Sequence, residues 1–159
     1  MSRAAAEYVA AQRINADHPE AHTALGTFSA QRGLPMEAEQ EYRAALKLSP
    51  QFAAAAVNPA DLLSEIGREY DGEEILLAAI AKLPPDAALR HALGLTCTRL
   101  KQTDNALIAV QTATDLDPPN AMYACVYAVA LHSAGRVDQA LAVLEQALSR
   151  RRIEIYCWR

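Results

Sequence analysis

The sequence predicts an all-α protein built from repeated pairs of antiparallel helices. Alanine supplies about one residue in five of the 159, whereas the chain has only six glycines and two phenylalanines. This balance favours close-packed helices over a β-sheet, which would need more β-branched and aromatic residues. Small residues recur every 34 positions, and glycine and proline interrupt the chain at the same spacing. Together these observations indicate an array of helical hairpins.

Four columns of residues carry the repeat. Three columns are small: Ala11, Ala45, Ala79, Ala113 and Ala147; Ala4, Ala38, Gly72, Ala106 and Ala140; and Gly26, Ala60, Gly94 and Ala128. The fourth column is bulky: Tyr8, Tyr42, Leu76, Val110 and Leu144. Small side chains let two helix axes approach closely. We therefore expect the bulky column to fill the space that remains between neighbouring helices.

Glycine and proline define the elements of each unit. Gly33, Gly67 and Gly135 lie where a left-handed residue can end the first helix. Pro50, Pro84 and Pro118 stop the second helix. The first unit then has helices near 19–32 and 36–48. The predicted repeats are 19–52, 53–86, 87–120 and 121–152, preceded by a half repeat at 2–16 and followed by a tail at 153–159.

Three places depart from the pattern. Asn58 and Pro59 look like an N-cap and a first helical residue, so we expect the first helix of the second repeat to be shortened or kinked there. Lys101 replaces the turn glycine, which predicts a longer or tighter turn. The tail from Ile153 to Trp158 is apolar and strand-prone, so it either folds back over the last repeat or stays exposed.

The pattern resembles the tetratricopeptide repeat family. The resemblance is carried by Ala24-Leu25-Gly26, Gly33, Ala38, Tyr42, Ala45 and Pro50 in the first repeat, and by Ala92-Leu93-Gly94, Ala106, Ala113 and Pro118 in the third. It implies a right-handed superhelical solenoid of antiparallel helix pairs. It also implies a concave groove, lined mainly by the first helix of each pair, that binds proteins or peptides and has no catalytic role.

The resemblance and helical spacing together place a set of side chains on this groove. They are Thr23, Thr27 and Ala30; Val57, Asp61 and Ser64; His91, Leu95 and Thr98; and Cys125, Val129 and His132. These residues are mostly small and weakly charged, and the apolar ones concentrate in the third and fourth repeats. An extended or helical segment with modest apolar side chains suits such a groove. Each residue has the alternative of being part of a solvated helix face.

The sequence excludes several kinds of partner. Some members of the family clamp the C-terminal carboxylate of chaperones with lysines, asparagines and an arginine, but of the matching positions here only Asn58 fits. The net charge of −4 provides no basic field for nucleic acid. The longest apolar run, 121–131, is about half of the ~20 residues that a membrane-spanning helix needs. Three unpaired-looking cysteines indicate a reducing, cytoplasmic setting.

No catalytic, cofactor or metal motif is found. The sequence lacks a P-loop, a dinucleotide fingerprint, a nucleophile elbow and an H-E-x-x-H pair. His91, Cys125 and His132 come nearest to a ligand set, but a helix separates Cys125 from His132 by about 10.5 Å along its axis. Zinc needs donors within about 2.3 Å of one ion. We therefore expect no enzyme activity, no cofactor and no metal site.

Two alternatives to a binding scaffold remain open. Residues 60–63 and 127–136 resemble repeats of bacterial arrays fused to other domains, which would make the chain an accessory segment of a larger enzyme or multihaem cytochrome. The uncapped ends of the array would also suit a self-associating module. Acidic residues concentrate in 61–74 and arginines in 150–152 and at 159. This asymmetry indicates either attraction between copies or two solvated ends.

Overall fold

A computed structural model describes residues 18–50 and 52–157, with side chains to residue 150. These residues form helices and no strand, which confirms the predicted all-α repeat fold. The helices are α1 (Pro19–Gln31), α2 (Pro35–Leu48), α3 (Ala54–Glu65), α4 (Glu69–Ile80), α5 (Ala87–Arg99), α6 (Thr103–Leu116), α7 (Ala121–Ser133) and α8 (Val137–Cys157). The predicted half repeat at 2–16 lies outside the described residues.

The chain divides into two compact units, and the first comprises residues 1–83. In this unit α1 packs on α2, α3 packs on both α2 and α4, and α1 also touches α3. Its core contains Ala38, Tyr42 and Leu62. A Cβ atom on Gly26 would lie 2.5 Å from Cδ1 of Tyr42. Gly26, in a small column, therefore leaves the space that Tyr42, in the bulky column, fills, as the sequence predicts.

The second unit comprises residues 84–159. Here α5 packs on α6, and α7 packs on both α6 and α8. Leu107, Ala128, Leu131 and Ala140 form the buried cluster that joins α6, α7 and α8. Asp86 begins α5 by accepting a hydrogen bond from the backbone N–H of Leu89 at 2.9 Å, which satisfies one of the free donors of the first turn. Asn120 caps α7 in the same way.

Every first helix ends in the same left-handed turn. Gly33 has φ 71°, and its N–H donates to the carbonyl of Ala30 at 2.9 Å. The next N–H, of Leu34, donates to the carbonyl of Ser29 at 3.0 Å. This pair of bonds is the Schellman arrangement, which satisfies two terminal carbonyl groups of the helix. Gly67 and Gly135 repeat it, each with φ 77°.

Lys101 forms this turn without glycine, so the prediction of a longer or tighter turn is wrong. Its φ is 60°. The N–H of Lys101 donates to Thr98 at 3.1 Å, and that of Gln102 donates to Cys97 at 2.9 Å. The hydrogen-bond pattern and the turn length therefore equal those of the three glycine turns. The repeat fixes the backbone, and the lysine adopts a conformation that its Cβ atom disfavours.

The predicted helix start at Asn58 is also wrong. α3 begins at Ala54 and continues through Pro59, so Asn58 lies inside the helix. The helix has 12 residues against 13 in α1, and the difference lies at its beginning. Proline removes one backbone hydrogen bond from the helix. Burial of Ala55, Ala60 and Leu63 in the same helix offsets that loss by tertiary packing.

The last helix corrects the predicted tail. α8 extends over 21 residues to Cys157, so residues 153–157 continue the helix and form no separate strand-prone segment. The sequence from Val137 to Cys157 contains neither glycine nor proline, and nothing in it stops a helix that has already formed. Trp158 and Arg159 lie outside the described residues. Across the part of the chain that is described, no helix combines the length and hydropathy needed to cross a bilayer.

Candidate functional site

The second unit contains an apolar cavity of about 370 Å³ between α5, α6 and α7. Its lining consists of Leu95, Thr98, Thr103, Ala106, Leu107, Val110, Cys125, Val126, Val129, Ala130 and Ser133. None of these residues carries a formal charge. Four of them, Leu95, Thr98, Cys125 and Val129, were predicted from the sequence to face the groove.

Two of the three hydroxyl groups that line this cavity, those of Thr98 and Ser133, donate to backbone carbonyl groups. The Oγ1 of Thr98 donates to the carbonyl of Gly94 at 2.8 Å, and the Oγ of Ser133 donates to that of Val129 at 2.9 Å. Because each hydroxyl hydrogen is already used within its own helix, neither needs a partner from a ligand. The thiol of Cys125 is exposed. The cavity therefore presents a mainly apolar surface to whatever enters it.

The α6 side of this cavity was not predicted. Thr103, Ala106, Leu107 and Val110 all line it, whereas the residues predicted from the sequence to line the groove all lie on first helices. Ala106 and Val110 belong to the repeating columns, which were interpreted only as helix contacts. A residue in such a column can contact its neighbour helix and still form the floor of a cavity above that contact.

The first unit contains a second, polar cavity of about 300 Å³ between α1, α2 and α3. Its lining consists of Thr27, Ala30, Gln31, Tyr42, Asn58, Asp61, Leu62 and Glu65. Thr27, Ala30 and Asp61 were predicted to face the groove. Two of the lining residues are acidic and none is basic, so a free carboxylate entering this cavity would meet no opposite charge.

A hydrogen-bond chain orders the floor of the polar cavity. The hydroxyl of Thr27 donates to the carbonyl of Thr23 at 3.0 Å, and its oxygen lies 3.1 Å from the phenol oxygen of Tyr42. Threonine has one hydroxyl hydrogen, so Tyr42 is the donor in that contact. Burial raises the pKa of Tyr42 above its usual 10.0, and the nearby carboxylates of Glu65 and Asp61 raise it further.

One predicted position enters a cavity in all four repeats. Thr27 and Asp61 line the polar cavity, and Leu95 and Val129, in the same column at 34-residue spacing, line the apolar one. The column one turn earlier behaves differently, since only Cys125 reaches a cavity. Thr23 is buried, and its hydroxyl donates to the carbonyl of Pro19 at 2.8 Å.

The remaining predicted residues lie outside both cavities. Val57 and Ser64 are half-buried, and His132 is exposed. His91 is half-buried, and its ring centroid lies 5.0 Å from that of Tyr123 at an interplanar angle of 44°. Within the described ranges, no three His, Cys, Asp or Glu side chains are grouped so that they could hold a metal ion. Cys97 is buried in the helix packing.

Comparison with known proteins gives the family. Residues 4–153 match the family described as tetratricopeptide repeat. This match spans most of the chain, and the protein therefore belongs to the tetratricopeptide repeat family. Among curated proteins, none matches this chain in sequence.

Solved structures share the fold. TTC0263, described as a thermophilic tetratricopeptide repeat protein of Thermus thermophilus, is 22% identical with TM-score 0.76, over 89% of this chain and 78% of that one. MamA from Desulfovibrio magneticus RS-1 is 24% identical with TM-score 0.71, over 89% and 80%. YrrB, described as having an unusual peptide-binding site, is 18% identical with TM-score 0.69, over 89% and 73%. These identities establish the shared fold alone.

Proposed function

We propose that this protein is a non-catalytic scaffold that binds an apolar segment of another protein at the cavity between α5, α6 and α7. The observation that carries the proposal is the apolar cavity of about 370 Å³ in the second unit. Small-molecule and peptide sites are concave and mainly apolar, with few polar groups. The cavity has this character, and its volume accommodates an aliphatic or aromatic side chain together with part of its backbone.

The lining of the polar cavity in the first unit is unfavourable for a partner that binds through its terminal carboxylate. Asp61 and Glu65 would repel such a group, and the lining provides no cation to offset the repulsion. Asn58 and Gln31 offer amide groups that donate and accept hydrogen bonds. A neutral or basic stretch of an extended or helical segment suits this lining. YrrB, a protein of the same fold, is described as having a peptide-binding site, which agrees with a peptide partner.

The proposal is tested by replacing a side chain that lines the apolar cavity but is not required for folding. Val129 lines the cavity yet is 66% exposed, so Val129→Arg should fold normally while it introduces a charge at the site. The wild type is used to capture proteins from its native lysate, and their amounts are measured by quantitative mass spectrometry. We expect the amount of captured partner to fall at least about tenfold with this variant, because burying an unpaired guanidinium opposes binding.

A matched control separates the site from a general surface effect. Ile108 is 61% exposed on α6 and lines neither cavity, so Ile108→Arg should leave capture unchanged. A second readout uses the thiol of Cys125 in a Cys157→Ser background, where a bound partner should slow its alkylation. Equal capture by Val129→Arg and the wild type, with Cys125 unprotected, would refute binding at this cavity.

A further inference from the structure

The polar cavity of the first unit has negative charge at its opening and a phenol on its floor. Asp61 and Glu65 line it and are exposed, whereas Tyr42 is only 3% exposed. Both carboxylates belong to α3 and stand four positions apart, so they share one face of that helix. Like charges at this spacing repel each other. A positive group that enters between them would relieve the repulsion.

The hydrogen bonds on the floor of the cavity leave mainly acceptors for a ligand. The hydroxyl of Thr27 donates to the carbonyl of Thr23, and the hydroxyl of Tyr42 donates to the oxygen of Thr27. The Nδ2 of Asn58 also approaches that oxygen, at 3.5 Å. Both hydroxyl hydrogens are therefore directed to protein atoms, while the phenol oxygen of Tyr42 keeps its capacity to accept. A ligand rich in donors matches such a lining.

The charges at the opening also act on the floor. Besides burial, the carboxylates of Glu65 and Asp61 raise the pKa of Tyr42, because a nearby negative charge opposes ionisation of the phenol. The same field attracts a cation. None of the side chains that line the cavity is basic, so the lining itself supplies no positive charge. A cation from outside the lining is thus the complementary ligand.

We propose that the polar cavity binds one positively charged side chain, an arginine or a lysine, of a protein partner. Guanidinium and ammonium groups donate hydrogen bonds and accept none. The volume of about 300 Å³ accommodates such a head group with its aliphatic stem, and Ala30 and Leu62 offer apolar contact to the stem. The proposal rests on the proposed function only in that the partner is a protein, since this site is separate from the apolar cavity.

Titration of the full chain with single amino-acid probes, followed by amide chemical shifts, tests the proposal. The probes are N-acetyl-arginine methylamide and its lysine counterpart. Both should give saturable shifts centred on residues 27–31 and 58–65, and the affinity should fall severalfold in concentrated salt, which screens the exposed carboxylates. The citrulline analogue has the shape of arginine without its charge, so it should bind at least about tenfold more weakly.

Two pairs of charge-neutralising variants separate this site from the general field of the protein. Asp61→Asn combined with Glu65→Gln should fold normally, because both positions are exposed, and it should weaken binding of the arginine probe at least about tenfold. Glu37→Gln combined with Glu74→Gln is the matched control. It removes the same charge from exposed positions of the same unit that line neither cavity, and it should leave binding unchanged.

Filling the cavity separates binding inside it from pairing at its rim. Ala30→Met keeps both carboxylates but occupies the space beside them, so it should also weaken binding at least about tenfold, with circular dichroism confirming the fold. Val129→Arg should bind the arginine probe as the wild type does, which keeps failure at the apolar cavity distinct from failure here. Equal binding of citrulline, equal effects of the two charge pairs, or undiminished binding by Ala30→Met would each overturn the proposal.

Discussion

At the scale of single residues, Lys101 shows how the repeat imposes a backbone conformation. Its φ of 60° is left-handed, as in the three glycine turns. A left-handed conformation costs an ordinary L-residue about 1–2 kcal/mol relative to glycine. The turn nevertheless forms both of its hydrogen bonds, so packing of the neighbouring helices fixes the backbone conformation of Lys101. The strain is local to one residue, and a single substitution should release it.

We expect Lys101→Gly to stabilise the protein by about 1 kcal/mol. Glycine removes the steric cost at positive φ, and its greater freedom in the unfolded chain returns part of that gain. Urea unfolding followed by circular dichroism measures the change in the free energy of unfolding. Lys101→Ala is the matched control and should change it little, because alanine keeps the Cβ atom. Equal stabilisation by both substitutions would show that the lysine side chain, not the backbone, is responsible.

Helical spacing identified a column of first-helix residues that lines cavities, but it could not assign side-chain depth. Thr27, Asp61, Leu95 and Val129 share one predicted column, and all of them line cavities. Thr23 also satisfied the spacing, yet it is buried. Spacing fixes the angle of a side chain around the helix axis. Its depth depends on how closely the neighbouring helix approaches, which only the packed structure shows.

At the scale of helices, the repeat columns describe how each hairpin packs. Gly26 faces Tyr42 in the first repeat, and Gly94 faces Val110 in the third, each pair 16 positions apart. A Cβ atom on Gly94 would overlap Cγ1 of Val110 and lie 3.3 Å from its backbone nitrogen. Val110 is 1% exposed and β-branched, so it cannot easily rotate out of the way.

Gly94→Ala should therefore destabilise the protein by about 1 kcal/mol. The overlap costs about 1–3 kcal/mol as overpacking, which outweighs the gain of about 1 kcal/mol from better helix propensity. The double variant Gly94→Ala, Val110→Ala should lose less free energy of unfolding than the two single variants lose in total, and the difference should be at least about 1 kcal/mol. Urea unfolding of all four proteins gives this coupling energy. Strict additivity would mean that the two side chains do not compete for space.

The two helix boundaries that sequence reasoning placed wrongly have physical explanations. Asn58 and Pro59 are typical of a helix N-terminus, but buried residues that precede them in α3, such as Ala55, already hold the helix in the packed structure. Tertiary packing overrides a local signal when the helix is covered on both sides of it. In α8, the strand preference of Ile153 and Ile155 is weak compared with adding residues to an existing helix. Local propensity was decisive in neither place.

At the scale of the whole molecule, the repeat pattern makes stability local. Within each unit, every described helix packs on its neighbours in the chain, and contacts between more distant helices are few. In such arrays the stability of each part depends on its own helices and on the adjoining interfaces. In the second unit, α5 contains six buried residues and α6 contains five. In α8, only Ala140 is buried among the side chains described.

Amide hydrogen exchange should reveal this gradient within the second unit. We expect amides of α5 and α6 to exchange only when most of the unit unfolds, because many buried contacts must break first. Amides in the second half of α8 should exchange at least about a hundredfold faster, because few of the described side chains of this helix are buried. Equal exchange in α5 and α8 would instead mean that the unit opens as one cooperative body, and the local account of its stability would be wrong.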